Sequence, residues 1–321
     1  MPSEFEVIAR FFTRPARTAV LGVGDDCALV RVPADLALAV TTDLLVEGTH
    51  FLPNSDARKL GHKSLAVNLS DLAAMGADPR WATLSLALPE VDESWLAGFA
   101  DGLFNLADRF GVEVIGGDTT RGPLAVSITA LGTLPPGLAL RRDGARTDQD
   151  VWLSGATGDA ALGLAHLRGR VRLSGAAARH CIARLDTPLP LVELGRALRG
   201  LASSLIDISD GLIADLGHIL ERSGTGAEVW LDALPQSRAL AECPDAALAR
   251  ECLLCGGDDY ELLFTAPQER RAAVLTLAAD MGLPLTRIGR TVSGAPVVSV
   301  LDGARQPVST GRGGYDHFRP S

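Results

Sequence analysis

The stretch Pro135-Pro-Gly-Leu-Ala-Leu-Arg-Arg-Asp-Gly-Ala-Arg146 divides the sequence into two parts. Its prolines and glycine end an apolar run, and the basic, polar residues that follow are typical of a connection between domains. A chain of 321 residues is also about as long as two ordinary domains. We therefore predict one domain over residues 1–138 and a second over residues 139–321.

On the N-terminal side of this connection, strand-like apolar runs alternate with helical patterns. A long helix is predicted over residues 57–74, and it stops at Gly76 because Ala77-Asp78-Pro79 cannot continue it. The other predicted elements are helices at 3–12 and 93–110, and strands at 36–42, 81–88, 112–115 and 124–134. The strand at 36–42 ends at Asp43, and the strand at 112–115 ends in Gly116-Gly-Asp-Thr-Thr120.

On the C-terminal side, a second series of strands and helices follows. Predicted strands cover 151–153, 204–206 and 228–231, and predicted helices cover 159–168, 174–184, 190–199, 212–222 and 270–281. A glycine-rich turn at Cys255-Gly-Gly-Asp-Asp-Tyr260 leads into a further strand that ends near Phe264.

Composition excludes several classes of partner. The formal net charge is −9, and no window gathers the lysines and arginines that a nucleic-acid backbone requires. No apolar stretch is long enough to cross a bilayer. Residues 1–17 include Glu4 and Glu6 and lack the apolar core of a secretory signal, so we expect a cytoplasmic protein.

Aspartates recur beside small residues where the predicted strands or helices end. They occur at Gly24-Asp25-Asp26, Thr42-Asp43, Ser70-Asp71, Gly117-Asp118, Asp207 with Asp210, and Gly257-Asp258-Asp259. Any single one could be a helix cap or a turn residue, which are common roles for aspartate. Six clusters with the same placement instead favour a shared ligand site, because strand ends gather ligands in sheets flanked by helices.

Several carboxylates in one cleft need a counter-charge, because like charges raise one another's pKa. Aspartate oxygens accompanied by threonine and serine hydroxyls are hard ligands that suit Mg²⁺, and Mg²⁺ often shares its coordination shell with phosphates. The residues therefore indicate a magnesium-dependent enzyme that handles phosphate. A Walker A loop is absent, and Gly22-Val-Gly-Asp-Asp-Cys27 lacks the last glycine of a dinucleotide motif.

Six motifs, in this order, resemble those of the thiamine-monophosphate kinase family. They are Gly22-Val-Gly-Asp-Asp-Cys-Ala28, Thr41-Thr-Asp-Leu-Leu-Val-Glu-Gly-Thr-His-Phe51, Ala66-Val-Asn-Leu-Ser-Asp-Leu-Ala-Ala-Met-Gly76, Gly116-Gly-Asp-Thr-Thr-Arg-Gly122, Asp207-Ile-Ser-Asp-Gly211 and Gly256-Gly-Asp-Asp-Tyr-Glu-Leu262. The family belongs with aminoimidazole ribonucleotide synthetase and selenophosphate synthetase in one ATP-binding superfamily. The resemblance extends from Glu4 to Phe318.

The resemblance implies an α+β protein with two domains, each a mixed or antiparallel sheet with flanking helices. It implies that the N-terminal domain binds ATP and Mg²⁺ and pairs with a second copy as a homodimer, and that the C-terminal domain completes the nucleotide and substrate site. The implied reaction is direct transfer of the ATP γ-phosphoryl group to thiamine phosphate, which gives thiamine diphosphate and ADP. No residue is expected to act as a general acid or base, because the acceptor oxygen is already ionised.

The resemblance also assigns roles by position. The implied ligands of several Mg²⁺ ions are Asp26, Thr41, Thr42, Asp43, Asp71, Asp118, Asp207 and Asp210. The implied nucleotide contacts are Gly117, Asp118, Arg142 and Ser209, and the implied thiamine phosphate contacts are His50, Asp258 and Tyr315. Asp258 departs from the family, because many relatives have the longer glutamate there.

Two other functions remain as alternatives. One is another ATP-dependent synthetase of the same superfamily. A selenophosphate synthetase would need a reactive cysteine and a lysine near the N-terminus, and this chain has no cysteine before Cys27 and no lysine before Lys59. The other is a non-catalytic protein that binds divalent cations, although Asp207-Ile-Ser-Asp-Gly211 does not have EF-hand spacing.

Overall fold

The computed structural model describes residues 3–310. The chain forms two compact units: residues up to Leu72 with Ala77–Gly137 make the first, and Ala73–Gly76 with the chain from Leu138 onward make the second. Within residues 3–310, every helix is too short or too polar to cross a membrane.

The first unit contains a four-stranded mixed sheet with helices. In chain order its elements are α1 (Glu4–Val7), a π-helical turn (Ile8–Phe12), β1 (Ala37–Val46), α2 (Ala57–Ala74), β2 (Asp78–Leu88), α3 (Glu93–Phe110), β3 (Glu113–Arg121) and β4 (Ala125–Leu134). The strand order is β1-β4-β2-β3, with β2 and β3 parallel and the other pairs antiparallel. The predicted helices at 57–74 and 93–110 are confirmed with the same bounds.

Two predicted strand ends are wrong, and both bear on the candidate site. Strand β1 continues to Val46, so Asp43 lies inside it. Strand β3 continues to Arg121, so Gly116-Gly-Asp-Thr-Thr120 is part of a strand and not a loop. Gly117 is explained by the neighbouring strand: a Cβ on this residue, whose φ is +150°, would lie 1.8 Å from the carbonyl oxygen of Leu84.

The two faces of this sheet differ in exposure. Val126, Ile128 and Ala130 of β4 are buried on one face, and hydrogen bonds from β1 to Asn68 and Asp71 show that α2 covers that face. On the other face, β1 presents Leu38, Val40 and Leu44, all of them exposed. Alternation along a strand therefore decides which polar residues lie beneath the helices and which lie on the open face.

The second unit contains a six-stranded mixed sheet in the order β10-β7-β9-β5-β8-β6. Its strands are β5 (Asp150–Ser154), β6 (Ser204–Asp207), β7 (Gly226–Trp230), β8 (Leu262–Ala266), β9 (Leu285–Val292) and β10 (Val298–Leu301). Its helices are α4 (Asp159–Leu167), α5 (Gly175–Asp186), α6 (Val192–Ala197), α7 (Leu212–Ser223), α8 (Arg238–Ala241), α9 (Ala246–Cys255) and α10 (Arg271–Met281). The core between sheet and helices is aliphatic, with Leu153, Leu216 and Leu263 fully buried.

Candidate active site

Thr41, Asp43 and Asp71 meet on the helix-covered face of the first unit. The Thr41 hydroxyl donates a short hydrogen bond to Oδ2 of Asp71, and the Asp43 amide donates to Oδ1 of Asn68 at 3.1 Å. Burial, together with the negative charge of Asp71, raises the pKa of Asp43 to about 7. A cation bound beside Asp43 and Asp71 would stabilise their charged forms.

Asp118 lies on the open face and on the opposite edge strand. The register aligns Leu44, Ser127, Ser85 and Asp118 in one row across the four strands. Three strand spacings of about 4.8 Å separate Asp118 from Leu44 by roughly 14 Å. Thr42 is on the open face too, where Thr129 donates a hydrogen bond to its hydroxyl at 3.1 Å. The first unit of one chain therefore does not bring Asp118 or Thr42 into the cluster with Asp43.

Asp26 lies in an exposed bend that is tied to the sheet through the preceding residues. Its amide donates to Oδ1 of Asp25 at 3.0 Å. Further upstream, the amides of Arg17, Thr18 and Ala19 donate to the buried Glu113 carboxylate at 3.1, 2.7 and 3.3 Å. Burial opposes the charge on Glu113, but these donors outweigh it and hold the pKa of Glu113 below its ordinary value.

His50 follows β1 in a tight turn. Its Nδ1 accepts a hydrogen bond from the Val46 amide at 3.0 Å. An acceptor at Nδ1 leaves the proton of the neutral imidazole on Nε2, which makes Nε2 a hydrogen-bond donor. His50 is half-buried.

In the second unit, the end of β6 carries Asp207, and the loop after it carries Ser209 and Asp210. Asp207 is buried at the last position of the strand. Oδ2 of Asp215, in the first turn of α7, accepts hydrogen bonds from the amides of Ser209, Asp210 and Gly211 at 3.1, 3.1 and 3.0 Å. Burial and the charge of Asp210 outweigh those three donors and raise the pKa of Asp215 to about 7. Asp215 therefore shapes the loop.

One group in the second unit has the geometry of a cation site. Ligand atoms of Asp210, Asp215 and His218 lie within 4.8 Å of one another. Of these three, the sequence prediction included only Asp210. The sequence does contain a signal for Asp215, because it lies in the first turn of the helix predicted over residues 212–222. An acidic residue there often accepts hydrogen bonds from the amides at the start of the helix.

The loop after β6 is hydrogen-bonded to the glycine-rich turn before β8. The amide of Ile208 donates to the carbonyl oxygen of Glu261, and the amides of Tyr260 and Asp258 donate to the carbonyl oxygens of Ile208 and Ser209, at 2.8, 2.8 and 2.9 Å. A Cβ on Gly257 would lie 2.2 Å from the carbonyl oxygen of Ser209, so only glycine fits there. Asp258 is thus held beside Ser209 and Asp210.

Two remaining candidates lie elsewhere. Arg142 is exposed in a short 3₁₀ turn (Arg142–Gly144), and its carbonyl oxygen accepts from the Ser223 hydroxyl at 2.8 Å. Tyr315 lies outside the described residues.

Comparison with known proteins gives the same family in both halves of the chain. Residues 24–134 match the family described as AIR synthase related protein, N-terminal domain, and residues 152–302 match its C-terminal domain. The thiamine-monophosphate kinase of Salmonella typhimurium is 48% identical over 98% of this chain and 98% of its own length. The chain belongs to the thiamine-monophosphate kinase family. The predicted resemblance, the α+β class with a mixed sheet in each domain, and the prediction of an enzyme are confirmed.

Solved structures of thiamine-monophosphate kinases are similar in fold to this chain. The crystal structure of the enzyme from Stenotrophomonas maltophilia has a TM-score of 0.84 and 48% identity, and the match covers 92% of this chain and 94% of that one. The structure of AaThiL complexed with AMPPCP and TMP has a TM-score of 0.77 and 32% identity, and covers 90% of this chain and 89% of that one.

Proposed function

We propose that this chain transfers the γ-phosphoryl group of ATP directly to thiamine phosphate and releases thiamine diphosphate and ADP. The observation that carries the proposal is the paired Asp43 and Asp71 carboxylates in a chain of this family, with Asp43 raised to a pKa of about 7 by burial and by Asp71. A phosphoryl transfer between two polyanions needs such a cation-binding pair.

The nature of the two substrates is supported by the AaThiL relative. AMPPCP is an analogue of ATP whose terminal phosphate cannot be transferred, and we take TMP, in a thiamine-monophosphate kinase, as thiamine monophosphate. A relative that binds both together favours direct transfer, because donor and acceptor then occupy one site at the same time. We carry both ligands over to this chain.

We propose Mg²⁺ as the required ion. Carboxylate and hydroxyl oxygens are the donors that Mg²⁺ prefers, so the donor set fits. The proposed ligands of several such ions are Asp26, Thr41, Thr42, Asp43, Asp71, Asp118, Asp207 and Asp210, with Thr42 and Asp118 holding a different ion from Asp43 and Asp71 because they lie on the other face of the sheet. When bound, the ions supply positive charge that offsets repulsion between the two phosphorylated substrates and stabilises charge on the transferring group.

The chain's own part is to bind and orient. Gly117, Asp118, Arg142 and Ser209 are the proposed nucleotide contacts, and His50, Asp258 and Tyr315 the proposed contacts to thiamine phosphate. His50, with its proton on Nε2, can donate to a phosphate oxygen. No side chain needs to remove a proton from the acceptor phosphate.

We further propose a homodimer formed through the first domain, residues 1–138. Leu38, Val40 and Leu44 are 41%, 59% and 55% exposed, and they share one face of the edge strand β1. An apolar row of this kind on an open sheet face is typical of a surface that another protein covers. A second copy is the occupant that the family resemblance implies. We place the protein in the cytoplasm, where ATP is available.

The test is a product assay on the purified chain. Thiamine phosphate, ATP and Mg²⁺ are expected to yield thiamine diphosphate and ADP in equal amounts, with no product when EDTA removes the ion or when thiamine replaces thiamine phosphate. Binding of ATP and Mg²⁺ without turnover would favour the non-catalytic alternative. Turnover of ATP only with a different acceptor would favour another synthetase of the superfamily.

A further inference from the structure

The turn before β8 has an unusual backbone. Asp258 and Tyr260 both have left-handed conformations, with φ of 67° and 53°. Non-glycine residues adopt such values at an energetic cost, and they persist where surrounding contacts hold them. Two of them separated by a single residue, Asp259, indicate that the shape of this turn is imposed by its neighbours.

The buried Asp259 provides the contacts beneath the turn. Its Oδ2 accepts a hydrogen bond from the Gly158 amide at 2.7 Å, at the start of α4. The Arg184 guanidinium donates to the Asp259 carbonyl oxygen at 3.3 Å and to the buried Glu261 carboxylate at 2.6 Å. Above, the Asp258 and Tyr260 amides donate to the loop after β6. The turn is therefore fixed from both sides.

This backbone brings the Tyr260 and Asp258 side chains together. The Tyr260 hydroxyl donates a hydrogen bond to Oδ1 of Asp258 at 3.0 Å. The tyrosine side of the pair is buried, with 8% of the residue exposed, whereas Asp258 is half-buried and accessible to a ligand. A buried ring with few rotamers thus orients a more accessible carboxylate.

We propose that Tyr260 is a positioning residue of the acceptor site, which acts by orienting the Asp258 carboxylate toward thiamine phosphate. The inference rests on the proposed function, which makes Asp258 a substrate contact. A carboxylate repels the phosphate and attracts the thiazolium cation of the same molecule, so the oriented group meets the thiamine portion. Aspartate is one methylene shorter than glutamate, and a short side chain depends more on a fixed direction.

The test compares Tyr260→Phe with the unaltered chain and with Asp258→Ala. Loss of one hydrogen bond to a charged group is expected to raise KM for thiamine phosphate about tenfold. The KM for ATP and kcat should each change by less than about twofold. In the Asp258→Ala background, adding Tyr260→Phe should produce no further rise, because the group that Tyr260 orients is gone.

A merely structural role predicts a different pattern. If Tyr260→Phe loosened the whole turn, KM for ATP and kcat would change as well, and its effect would add to that of Asp258→Ala. Either result would overturn the proposal, as would an unchanged KM for thiamine phosphate. Melting temperatures of all four proteins separate loss of fold from loss of binding.

Failure of the inference and failure of the proposed function are distinguishable. If the unaltered chain makes thiamine diphosphate and Tyr260→Phe is normal, only the positioning role falls. If the unaltered chain makes none, the proposed function falls, and calorimetric titration with thiamine phosphate then decides the positioning role. In that titration, a Kd that Tyr260→Phe leaves unchanged overturns it.

Discussion

Asp43 in the first unit and Asp215 in the second both have a pKa of about 7, and in both cases burial is the main cause and a nearby aspartate adds to it. Their surroundings differ. Asp215 accepts three backbone amides through one oxygen, whereas the neighbour of Asp43 is Asp71, a second carboxylate that Thr41 orients. The arrangement around Asp215 shapes a loop, and the arrangement around Asp43 concentrates negative charge.

The difference teaches how one residue type serves two purposes in the two units. Asp215 is costly to bury, but it fixes the backbone from Ser209 to Gly211 and so the direction of Asp210. The charges of Asp43 and Asp71 repel each other, which makes the pair suitable as ligands for a cation. Substitutions at these positions should therefore change different properties.

The largest expected effect is on turnover, at Asp71. Asp71→Asn can keep the hydrogen bond with Thr41 but removes one negative charge from the pair, so kcat/KM should fall by about a thousandfold or more. Asp35→Asn, which changes an exposed aspartate of the same unit, is the matched control and should be normal. Steady-state rates of thiamine diphosphate formation measure both. Equal activity of the two variants would contradict the comparison.

The next effect is on the stability of the second unit. Asp215→Ala leaves three amides without their acceptor and should lower the free energy of unfolding by about 3 kcal/mol. Asp215→Asn keeps an acceptor oxygen and should lose much less. Urea denaturation at one pH compares the two variants. A similar loss in both would mean that the charge of Asp215, and not its hydrogen bonds, holds the loop.

A substitution at Asp43 should have the opposite effect on stability. At about pH 8 its carboxylate is charged and half-buried beside Asp71, so without divalent ions Asp43→Asn should raise the free energy of unfolding by about 1–3 kcal/mol. Added Mg²⁺ should stabilise the unaltered chain more than the variant. Melting curves with EDTA and with Mg²⁺ measure this. A variant less stable than the parent in EDTA would contradict the interpretation of the pair.

The smallest effect concerns the pH dependence of stability through Asp259. Burial raises the pKa of Asp259 well above its usual 3.8, more than the Gly158 amide and Arg184 lower it. The folded chain therefore binds this proton more tightly than the unfolded chain. The contribution of Asp259 protonation to stability is lost as pH rises above about 4. Asp259→Asn does not titrate, so from pH 5 to pH 6 the stability of the unaltered chain should decrease relative to that of the variant. Urea titrations at both pH values check this, and parallel curves would contradict it.

Local signals made part of the fold predictable from the sequence. Helix α3 has the predicted bounds because Asp92 caps its first amides and Gly111 ends it in a left-handed conformation, with φ of 66°. The sequence pattern predicts where the strands lie but not how long they are, because the partner strands decide where a strand stops. Asp43 and Asp118 were therefore assigned to strand ends, although each lies within a strand.

The candidate site was predictable in composition but not in arrangement. The aspartates and glycines are visible in the motifs, whereas the sheet face on which each lies depends on where the strands run, because alternation along β1 separates Thr42 from Thr41 and Asp43. The role of Glu113 cannot be predicted from the sequence, because the amides that donate hydrogen bonds to it are 94–96 residues away along the chain. Tyr260 and Asp215 act over two to six residues, and their roles depend on left-handed turns and helix starts.

The three backbone hydrogen bonds between residues 208–209 and residues 258–261 have an evolutionary consequence. An inserted or deleted residue in either segment would break their pairing and displace Asp210 and Asp258 together. Changes of acceptor preference within the family must then proceed by exchange of side chains at constant loop length. Position 258 lies in one of these segments and is open to such an exchange.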